Sequence, residues 1–447
     1  MRRIVTTSEP NSDADTELRA IEEGEPAQEP DLGTSLPRAF RALGFRDFRI
    51  FWSAAVVSSI GSNMQLAALL WVVAISTRSA ARVSLVAFVG VVPLLLLSPL
   101  GGALADRFAR RHVLAITQAL MMIQALVLWT VWISGAGSYW VLFALALTNG
   151  MLAALSTPSW QVFVVDLVPR AYLQNAITLN TTQFNVARAV GPLVAGVLIA
   201  EFGAGLCFLL NGVSFVFVLL ALIALSASAT IVPTRPSSRP TVWQGFTDSV
   251  RTVRAEPGLV TAIGTHAAFA FFAAPVVQLV PVFAVEALDV GPAAYGVLLG
   301  AFGFGAVGIA VAIGSADDRV APSRILAYGF VLSALAVGGL AVAPTLAPAV
   351  GAMVLFGAAY VIVVSIDHSA IQRLADDHNR GRVTSLWLMT FGVFFPIGVL
   401  AEGAAAEAFG VRVALGGVAA LLVAVLVFVF ARRLLPRINP ATDASAP

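Results

Sequence analysis

The stretch VSLVAFVGVVPLLLLSPLGGALA occupies residues 83–105 and contains no charged side chain. It is long enough to cross a bilayer, because about 20 apolar residues in an α-helix span the hydrocarbon core. The basic stretch DRFARR follows directly at residues 106–111. An apolar helix that ends in a cluster of positive charge is typical of a membrane span that reaches the lipid–water interface.

The same pattern recurs along the chain. Two long runs each hold two spans, because turn-forming residues divide them at Ser134–Ser138 and at Pro344 and Pro348. The sequence therefore predicts twelve transmembrane helices. The uncharged or nearly uncharged runs are 50–77, 83–105, 113–165, 176–200, 205–228, 258–285, 293–315, 325–366, 383–407 and 413–431.

The composition agrees with a membrane protein. Of the 447 residues, 58% are hydrophobic and only 12% are charged, which is about half the charged share of soluble domains. A soluble fold of this size could not hide so much apolar side chain. The expected class is therefore an all-α polytopic membrane protein whose surroundings are the lipid bilayer. The net charge of +2 is too small to suggest nucleic-acid binding.

Polar segments divide the chain into parts. We predict a disordered cytoplasmic tail at residues 1–37, since this acidic stretch lacks the apolar core of a cleavable signal peptide. Six-helix bundles follow at 38–228 and 258–435, and a second cytoplasmic tail covers 436–447. The linker at 229–257 carries three closely spaced prolines and four arginines, and it includes a short amphipathic helix near Trp243–Arg254.

The arginines predict the orientation. All 27 basic residues are arginine, and 23 of them fall on the side of the predicted spans that holds both chain ends. Arg78, Arg82 and Arg412 fall on the opposite side, and Arg188 lies within a span. The positive-inside rule therefore places both termini in the cytoplasm of a protein of the inner, cytoplasmic membrane.

The two halves repeat each other at a spacing of a little over 200 residues. The pattern Gly102-x-x-x-Asp106-Arg107 recurs as Gly314-x-x-x-Asp318-Arg319, and Gly191-Pro192 corresponds to Phe395-Pro396. Internal duplication across a central linker is the plan of many secondary transporters, whose substrate site lies between the halves near the membrane midplane. The sequence therefore predicts two pseudo-symmetric six-helix bundles.

These residues resemble a known family. Gly102-x-x-x-Asp106-Arg107-x-Ala109-Arg110-Arg111 resembles the signature loop of the major facilitator superfamily, with Ala109 in place of the usual second glycine. The resemblance covers residues 38–435. Four further segments resemble the branch that contains the enterobactin exporter and macrolide efflux proteins, namely 45–49, 166–170, 187–192 and 379–382. The resemblance implies the major facilitator fold, a monomer, and export of a small molecule driven by proton antiport, without naming the cargo.

The signature loop has two interpretations. By resemblance, Asp106 and Arg110 form a latch that closes the cytoplasmic side, while Gly102 lets two helices approach closely. Arg111 can pair with acidic groups or lipid phosphates. The alternative is that these charges are solvated and only fix the topology.

Gly191-Pro192-Leu-Val-Ala195-Gly196 resembles the antiporter motif of drug exporters, with Ala195 for one glycine. Pro192 removes a helical hydrogen bond and bends the span, which could seal the cavity against proton leak. Ordinary packing of a membrane helix is the alternative.

Several other residues are candidates for the cavity or for proton coupling. A charge at the bilayer centre costs about 3 kcal/mol, so Arg188 should face the cavity, pair with an acid or extend to the interface. Asp367 and His368, or His266, could carry a proton, although interfacial or packing roles are the alternatives. Glu402 and Glu407 lie toward the outer end of the eleventh span; Glu402 is expected to be a wetted loop residue, and proton exchange with the outside is the alternative. The amides that could line the cavity or bridge helices are Asn63, Gln65, Asn149, Asn180, Gln183 and Asn185.

The sequence contains no pattern typical of an enzyme or of a cofactor site. It lacks a phosphate-binding Gly-x-x-x-x-Gly-Lys loop, and no metal-ligand spacing of histidines or cysteines is present. The rivals to an exporter are an uptake symporter on the same fold and a membrane-embedded enzyme or sensor.

Overall fold

A computed structural model describes residues 37–225, 242–314, 321–376 and 379–439. These residues form α-helices and contain no β-strand. Twelve of the helices are long and apolar enough to cross a membrane, which confirms the predicted number. They are α1 Arg46–Thr77, α2 Ala80–Arg107, α3 Arg110–Ile133, α4 Tyr139–Asp166, α5 Leu173–Phe202, α6 Ala204–Ala224, α7 Pro257–Ala287, α8 Pro292–Gly314, α9 Pro322–Val342, α10 Leu346–Leu374, α11 Arg380–Phe409 and α12 Val411–Ala431.

The predicted turns lie where the helices end. Helix α3 ends at Ile133 and α4 begins at Tyr139, so Ser134–Ser138 is the turn between them. Helix α9 ends at Val342 and α10 begins at Leu346. The glycines and prolines in the uncharged runs therefore predicted both divisions correctly.

Helix α7 is discontinuous, which the sequence analysis did not predict. Its first segment, Pro257–Phe272, is followed by a break and by a second segment, Val276–Val282, that runs into a π-helical turn at Phe283–Ala287. Pro275 precedes the second segment and Pro281 lies within it. Each proline lacks a backbone N–H and therefore removes one helical hydrogen bond.

Each half has the same helix pairing. In the N-terminal half, α2 packs on α4 and α1 packs on α5, whereas in the C-terminal half α8 packs on α10 and α7 packs on α11. The duplication seen in the sequence is therefore present in the packing. We call the surface at which α1 begins and α12 ends the terminal face, and the opposite surface, which holds the α1–α2 turn, the distal face.

The halves meet through α5 with α8 and through α2 with α11. The α5–α8 seam is very close near the distal face, because a Cβ built on Gly196 would lie 2.7 Å from the Cα of Gly296. Further from this face, Gly303 packs against Ala189 near the middle of both helices. Small residues thus allow direct backbone contact between the halves.

The α2–α11 seam begins at the distal face and also reaches mid-helix. Gly403 packs against Ser84 near the distal end, and a Cβ on Gly392 would lie 3.3 Å from Leu95. The second segment of α7 contacts α1 and α2 on the same side. The contacts that hold the halves together thus extend from the distal face to the middle of the helices.

A further helix, Val242–Ala255, packs on α11 and on the first segment of α7. This linker helix covers the position at which the sequence predicts an amphipathic helix. Residues 1–36 and 440–447 of the two predicted tails, and residues 226–241 around the start of the predicted linker, lie outside the described residues.

We expect Gly296→Ala to weaken the distal seam, because the added methyl group would overlap α5 at Gly196. Overpacking of this kind costs about 1–3 kcal/mol, so the thermal unfolding temperature of the purified protein should fall. The matched control is Gly308→Ala in the same helix, where a Cβ meets no atom within 4 Å. Equal unfolding temperatures for the two variants would contradict the proposed tight contact.

Candidate functional site

We infer a cleft between the halves on the terminal side, because the seam contacts described above extend only from the distal face to the middle of the helices. Its distal end is closed where Tyr295 of α8 stacks on Trp71 of α1, with ring centroids 5.2 Å apart, and donates a hydrogen bond to the Ala67 carbonyl at 3.3 Å. Closer to the terminal face, α5 leaves Asn185 and Arg188 exposed. The inferred cleft is therefore closed on the distal side, and these two polar residues lie on its terminal side.

Arg188 lies in the middle of α5, one turn before Gly191-Pro192. Its guanidinium makes no hydrogen bond or ion pair with any of the described side chains, and it acts electrostatically on the Tyr360 hydroxyl of α10 in the other half. Tyr360 packs edge-on against Phe269 and Phe302, with ring centroids 5.4 and 5.6 Å away. The exposed Arg188 thus lies within electrostatic range of Tyr360, whose ring rests on two buried phenylalanines of the other half.

A buried histidine–carboxylate pair lies in the C-terminal half. His266 of α7 is 1% exposed and Asp367 of α10 is fully buried. Their Nδ1 and Oδ2 atoms are 4.0 Å apart, which suits an ion pair but is too long for a hydrogen bond. The other Asp367 oxygen accepts a 2.9 Å hydrogen bond from Thr265. Neither ring nitrogen of His266, nor Oδ2 of Asp367, has a hydrogen-bond partner among the described residues.

Trp387 of α11 connects this pair to His368. The indole stacks on His266 with centroids 4.5 Å apart and on His368 with centroids 4.7 Å apart. His368 is only partly buried and lies 3.2 Å from Gln372 of the same helix, which donates to Thr384 of α11. The three candidates His266, Asp367 and His368 therefore form one cluster where α7, α10 and α11 meet.

The amides of the N-terminal half are arranged differently. Gln65 accepts a 2.9 Å hydrogen bond from Asn211 and donates to Gln124, which also accepts from Asn149. This network joins α1, α3, α4 and α6 inside one half. The structure thus places Gln65 and Asn149 between helices of the same bundle, which is the bridging role rather than the cavity role.

The remaining amides have mixed surroundings. Asn63 donates to the Ser59 carbonyl of its own helix, and Gln183 donates to Ser59 and to the Ala55 carbonyl. Asn180 accepts from the Trp160 indole at 3.4 Å. Asn185 is exposed and lies one helical turn before Arg188 on α5.

The signature loop forms an ion pair within the N-terminal half. Arg110 binds Asp166, at the end of α4, with an N–O distance of 2.6 Å, and each side chain is 16% exposed. Asp106 and Arg107 are exposed at the end of α2, and Arg111 donates to the Ile223 carbonyl of α6. The structure thus gives Arg110 a partner on α4.

The prediction for Gly102 was wrong in this conformation. A Cβ on Gly102 would meet no atom within 4 Å, whereas a Cβ on Gly101 would lie 2.6 Å from the Ala154 carbonyl of α4. The close approach of α2 to α4 therefore depends on Gly101. In the second copy, Gly314 ends α8, and Asp318 and Arg319 lie outside the described residues.

The antiporter-like segment lies at two helix contacts. A Cβ on Gly191 would lie 2.7 Å from the Asn63 Cβ of α1, while Gly196 contacts α8. Pro192 lies inside α5 between them. The segment thus joins α5 to its own half and to the other half.

The two glutamates of α11 differ from each other. Glu402 is 6% exposed, so the expectation of a wetted loop residue was wrong. Glu407 is exposed and caps the start of α2, where its carboxylate accepts from the Ser79 hydroxyl at 2.9 Å and from the Ala81 N–H at 3.2 Å. This contact links the two halves at the distal face.

Comparison with known proteins identifies the family. A family model described as transmembrane secretion effector matches residues 38–447. The chain belongs to this family of the major facilitator superfamily. It is therefore a multi-pass membrane transporter of small molecules rather than an enzyme.

Its relatives include transporters of two kinds. The chain is 27% identical to the staphyloferrin A transporter of Staphylococcus aureus over 41% of this chain and 47% of that protein. It is 25% identical to the enterobactin exporter EntS of Salmonella choleraesuis over 64% of this chain and 68% of the relative. It is also 26% identical to the multidrug efflux pump Tap of Mycolicibacterium fortuitum, over 88% and 97% of the two chains.

Solved structures share the fold at low identity. A POT family transporter superposes with a TM-score of 0.71 at 11% identity, covering 90% of this chain and all of that one. The nucleoside transporter NupG gives 0.69 at 14% identity, covering 87% and 99%. These similarities establish the twelve-helix major facilitator fold.

Sequence reasoning did not select four residues of the transporter's site, namely Asp166, Thr265, Tyr360 and Trp387. Asp166 ends a span, like Asp106, and this position could have suggested a partner for Arg110. The other three are common residues of membrane helices, and the sequence carries no signal that distinguishes them.

We expect Asp166→Asn to destabilise this transporter, because it leaves the largely buried Arg110 without its charged partner. Breaking a buried pair costs about 3–5 kcal/mol, and partial exposure reduces this value. The exchange variant, Arg110→Asp with Asp166→Arg, should recover part of the lost thermal stability. The cycle is completed by the single variants Arg110→Asp and Asp166→Arg. If the loss of stability in the exchange variant equals the sum of the two single losses, the two side chains are not coupled.

Proposed function

We propose that this transporter exports a small organic anion from the cytoplasm in exchange for protons, by alternating access. In this proposal the protein lies in the cytoplasmic membrane as a monomer with both termini inside, so the terminal face is cytoplasmic. The conformation in which the cleft opens on this face is the one that takes up cargo from the cytoplasm.

The observation that carries the proposal is the His266–Asp367 pair. Two titratable side chains lie inside the membrane-spanning bundle, 4.0 Å apart, with three polar atoms that have no hydrogen-bond partner among the described residues. Ionisable residues within transmembrane helices are costly and are typical of proton pathways. A fixed structural pair would satisfy more of its polar atoms, as the amide network of the other half does.

Proton binding at this pair can be linked to conformation. Asp367 accepts a proton and loses its charge, which removes the attraction to a protonated His266. Its bond to Thr265 joins α10 to α7, and Trp387 joins the pair to α11. A change in the charge of the pair therefore acts on three helices of the C-terminal half together, and a ligand that binds two states unequally shifts their populations.

Arg188 supports an anionic cargo. Its exposed guanidinium faces the cleft without an acidic partner among the described residues, so a carboxylate or phenolate of the cargo can supply the missing charge. The partly exposed ring of Tyr360, which rests on the buried Phe269 and Phe302, suits an apolar or aromatic part of the cargo. The names of the relatives, two siderophore transporters and a multidrug efflux pump, support export of such molecules.

The signature loop would act in the opposite conformation. When the terminal face closes, Asp106 at the end of α2 can approach the start of α11, where a carboxylate favours the exposed backbone N–H groups. In this proposal Asp106 and the Arg110–Asp166 pair form the latch of that state. Pro192 and its neighbouring glycines keep the α5 seam tight against proton leak.

Inside-out vesicles with an acidic lumen provide the test of direction and coupling. We expect enterobactin and the anionic dye fluorescein to accumulate in the lumen, and a protonophore to abolish this accumulation. Asp367→Asn should reduce the accumulation to the protonophore level while cargo exchange without a gradient continues. Asp376→Asn, just after the same helix, is the control that should behave like the wild type.

Accumulation that needs an acidic exterior instead would support an uptake symporter and overturn the export proposal. Undiminished gradient-driven accumulation by Asp367→Asn would exclude this carboxyl as the proton carrier.

We expect Arg188→Gln to raise the KM for fluorescein about tenfold, since one charge-assisted hydrogen bond contributes about 1.5–3 kcal/mol. Arg188→Lys should retain part of the affinity because it keeps the charge. Arg251→Gln, on the exposed side of the linker helix, is the matched control. Binding of the cationic relative rhodamine should not weaken in Arg188→Gln, and an equal loss for both dyes would contradict recognition of the anion.

A further inference from the structure

A second buried carboxyl lies outside the pair described above. Glu402 of α11 is 6% exposed, and neither of its carboxyl oxygens has a hydrogen-bond partner among the described residues. It lies toward the distal end of α11, whereas Asp367 lies toward the terminal end of α10. The two carboxyls are therefore on opposite sides of the membrane midplane.

Glu402 is located where three helices meet. Gly398, one turn earlier on the same side of α11, packs against the break in α7, and a Cβ there would lie 2.8 Å from the Pro275 ring. The next residue, Gly403, packs against α2, and a Cβ there would lie 3.2 Å from the Ala80 carbonyl. The Ser84 hydroxyl on α2 is also buried without a partner among the described residues. Closure of the distal seam thus encloses Glu402.

The charged groups near this seam are all engaged elsewhere or exposed. Glu407 caps α2, and Glu286 is exposed at the end of α7. Arg412 of α12 donates to three backbone carbonyls, and Arg82 of α2 lies over the Tyr139 ring. Arg78 lies in the α1–α2 turn. None of them forms an ion pair or hydrogen bond with Glu402 in the described part of the chain.

The burial of Glu402 favours its neutral, protonated form when the seam between α2 and α11 is closed. An ionised carboxylate without a partner in an apolar interior costs several kcal/mol, whereas the neutral acid costs much less. Separation of α2 from α11 would admit water from the distal side and remove this difference. Closure of the seam and protonation of Glu402 therefore favour each other.

We propose that Glu402 is a proton-binding site of the distal gate, distinct from the His266–Asp367 pair. Its ligand is a proton taken from the medium on the distal side, and the protonated form stabilises the distal-closed conformation. The proposal requires neither a cargo nor a direction of transport. If the export proposal also holds, acid outside the cell returns the emptied transporter to its loading state.

Spin labels across the distal face provide the test. Ala136 in the α3–α4 turn and Thr345 in the α9–α10 turn are exposed and belong to different halves. Both residues are changed to cysteine and spin-labelled, and Cys207, the single native cysteine, is replaced by alanine. The distance between the two spin labels is then measured in lipid nanodiscs without cargo or a proton gradient. From about pH 5 to about pH 9, the range in which buried carboxyls titrate, we expect a longer distance to replace the short one in the otherwise wild-type protein.

Glu402→Gln should keep the short distance at every pH, because the amide is neutral throughout. Glu402→Met, which is neutral and of similar size, provides a second variant with the same expected result if the glutamine variant does not fold. Glu201→Gln, an exposed glutamate at the distal end of α5, is the control that should retain the pH response.

Two results would overturn the proposal. One is a wild-type distance that does not change with pH, and the other is a Glu402→Gln variant that keeps the wild-type response. If Glu407→Gln removes the response while Glu402→Gln keeps it, the second of these results applies and the exposed cap of α2 is the group that senses pH. Because no cargo is present, none of these results bears on the role of Asp367 in transport.

Discussion

Lipid offers no hydrogen bonds, and this constraint governs where the polar side chains of the protein lie. In the N-terminal half, the buried amides Gln65, Gln124 and Asn211 bond to one another across helices. In the C-terminal half, the buried polar residues include His266, Asp367 and Glu402, which keep polar atoms without partners among the described residues. The first arrangement is stable at any pH, while the second can change only by taking up or losing protons.

This asymmetry is notable because the packing of the two halves is so alike. The same helix pairs form in both bundles, so the duplicated scaffold does not decide which bundle carries titratable groups. In the N-terminal bundle, the buried amides Gln65, Gln124 and Asn211 form a neutral, hydrogen-bonded network. The C-terminal bundle contains the buried titratable residues His266, Asp367 and Glu402. In the proposed mechanism, this separation would let cargo binding at Arg188 and proton coupling in the C-terminal bundle vary separately.

Much of the fold could be predicted from the sequence, because a span requires an uncharged run and a turn requires residues that interrupt it. The twelve helices and the turns at Ser134–Ser138 and Pro344 follow from this rule. The break in α7 was missed although Pro275 and Pro281 were visible, since prolines also occur inside the continuous helices α2 and α4. What distinguishes the broken helix α7 from the continuous helices α2 and α4 is the packing of α7 against α1, α2 and α11, which the sequence does not reveal.

The candidate site was less predictable, because the local sequence of two distant segments does not show that they will lie close together in the fold. The sequence provided His266 and Asp367 as separate candidates, and only the packing of α7 on α10 brings them to 4.0 Å. The same limit explains the error at Gly102, since the helix face that meets α4 is the one bearing Gly101. Glu402 lies near a predicted loop, and this position suggested that its side chain is exposed. Helix α11 instead continues to Phe409 and packs on α2 and α7, and the side chain of Glu402 is buried.

The discontinuity of α7 has a mechanical consequence. Its first segment packs with α10 and α11 around the titratable pair, while its second segment contacts α1 and α2 of the opposite half. If α7 were one continuous helix, a displacement of its distal end would also move His266. With a joint at residues 273–275, the distal segment can swing with its neighbours while the histidine keeps its position. In the proposed mechanism, such a joint would let the distal seam open before the His266–Asp367 pair is displaced, so that the two events follow in sequence.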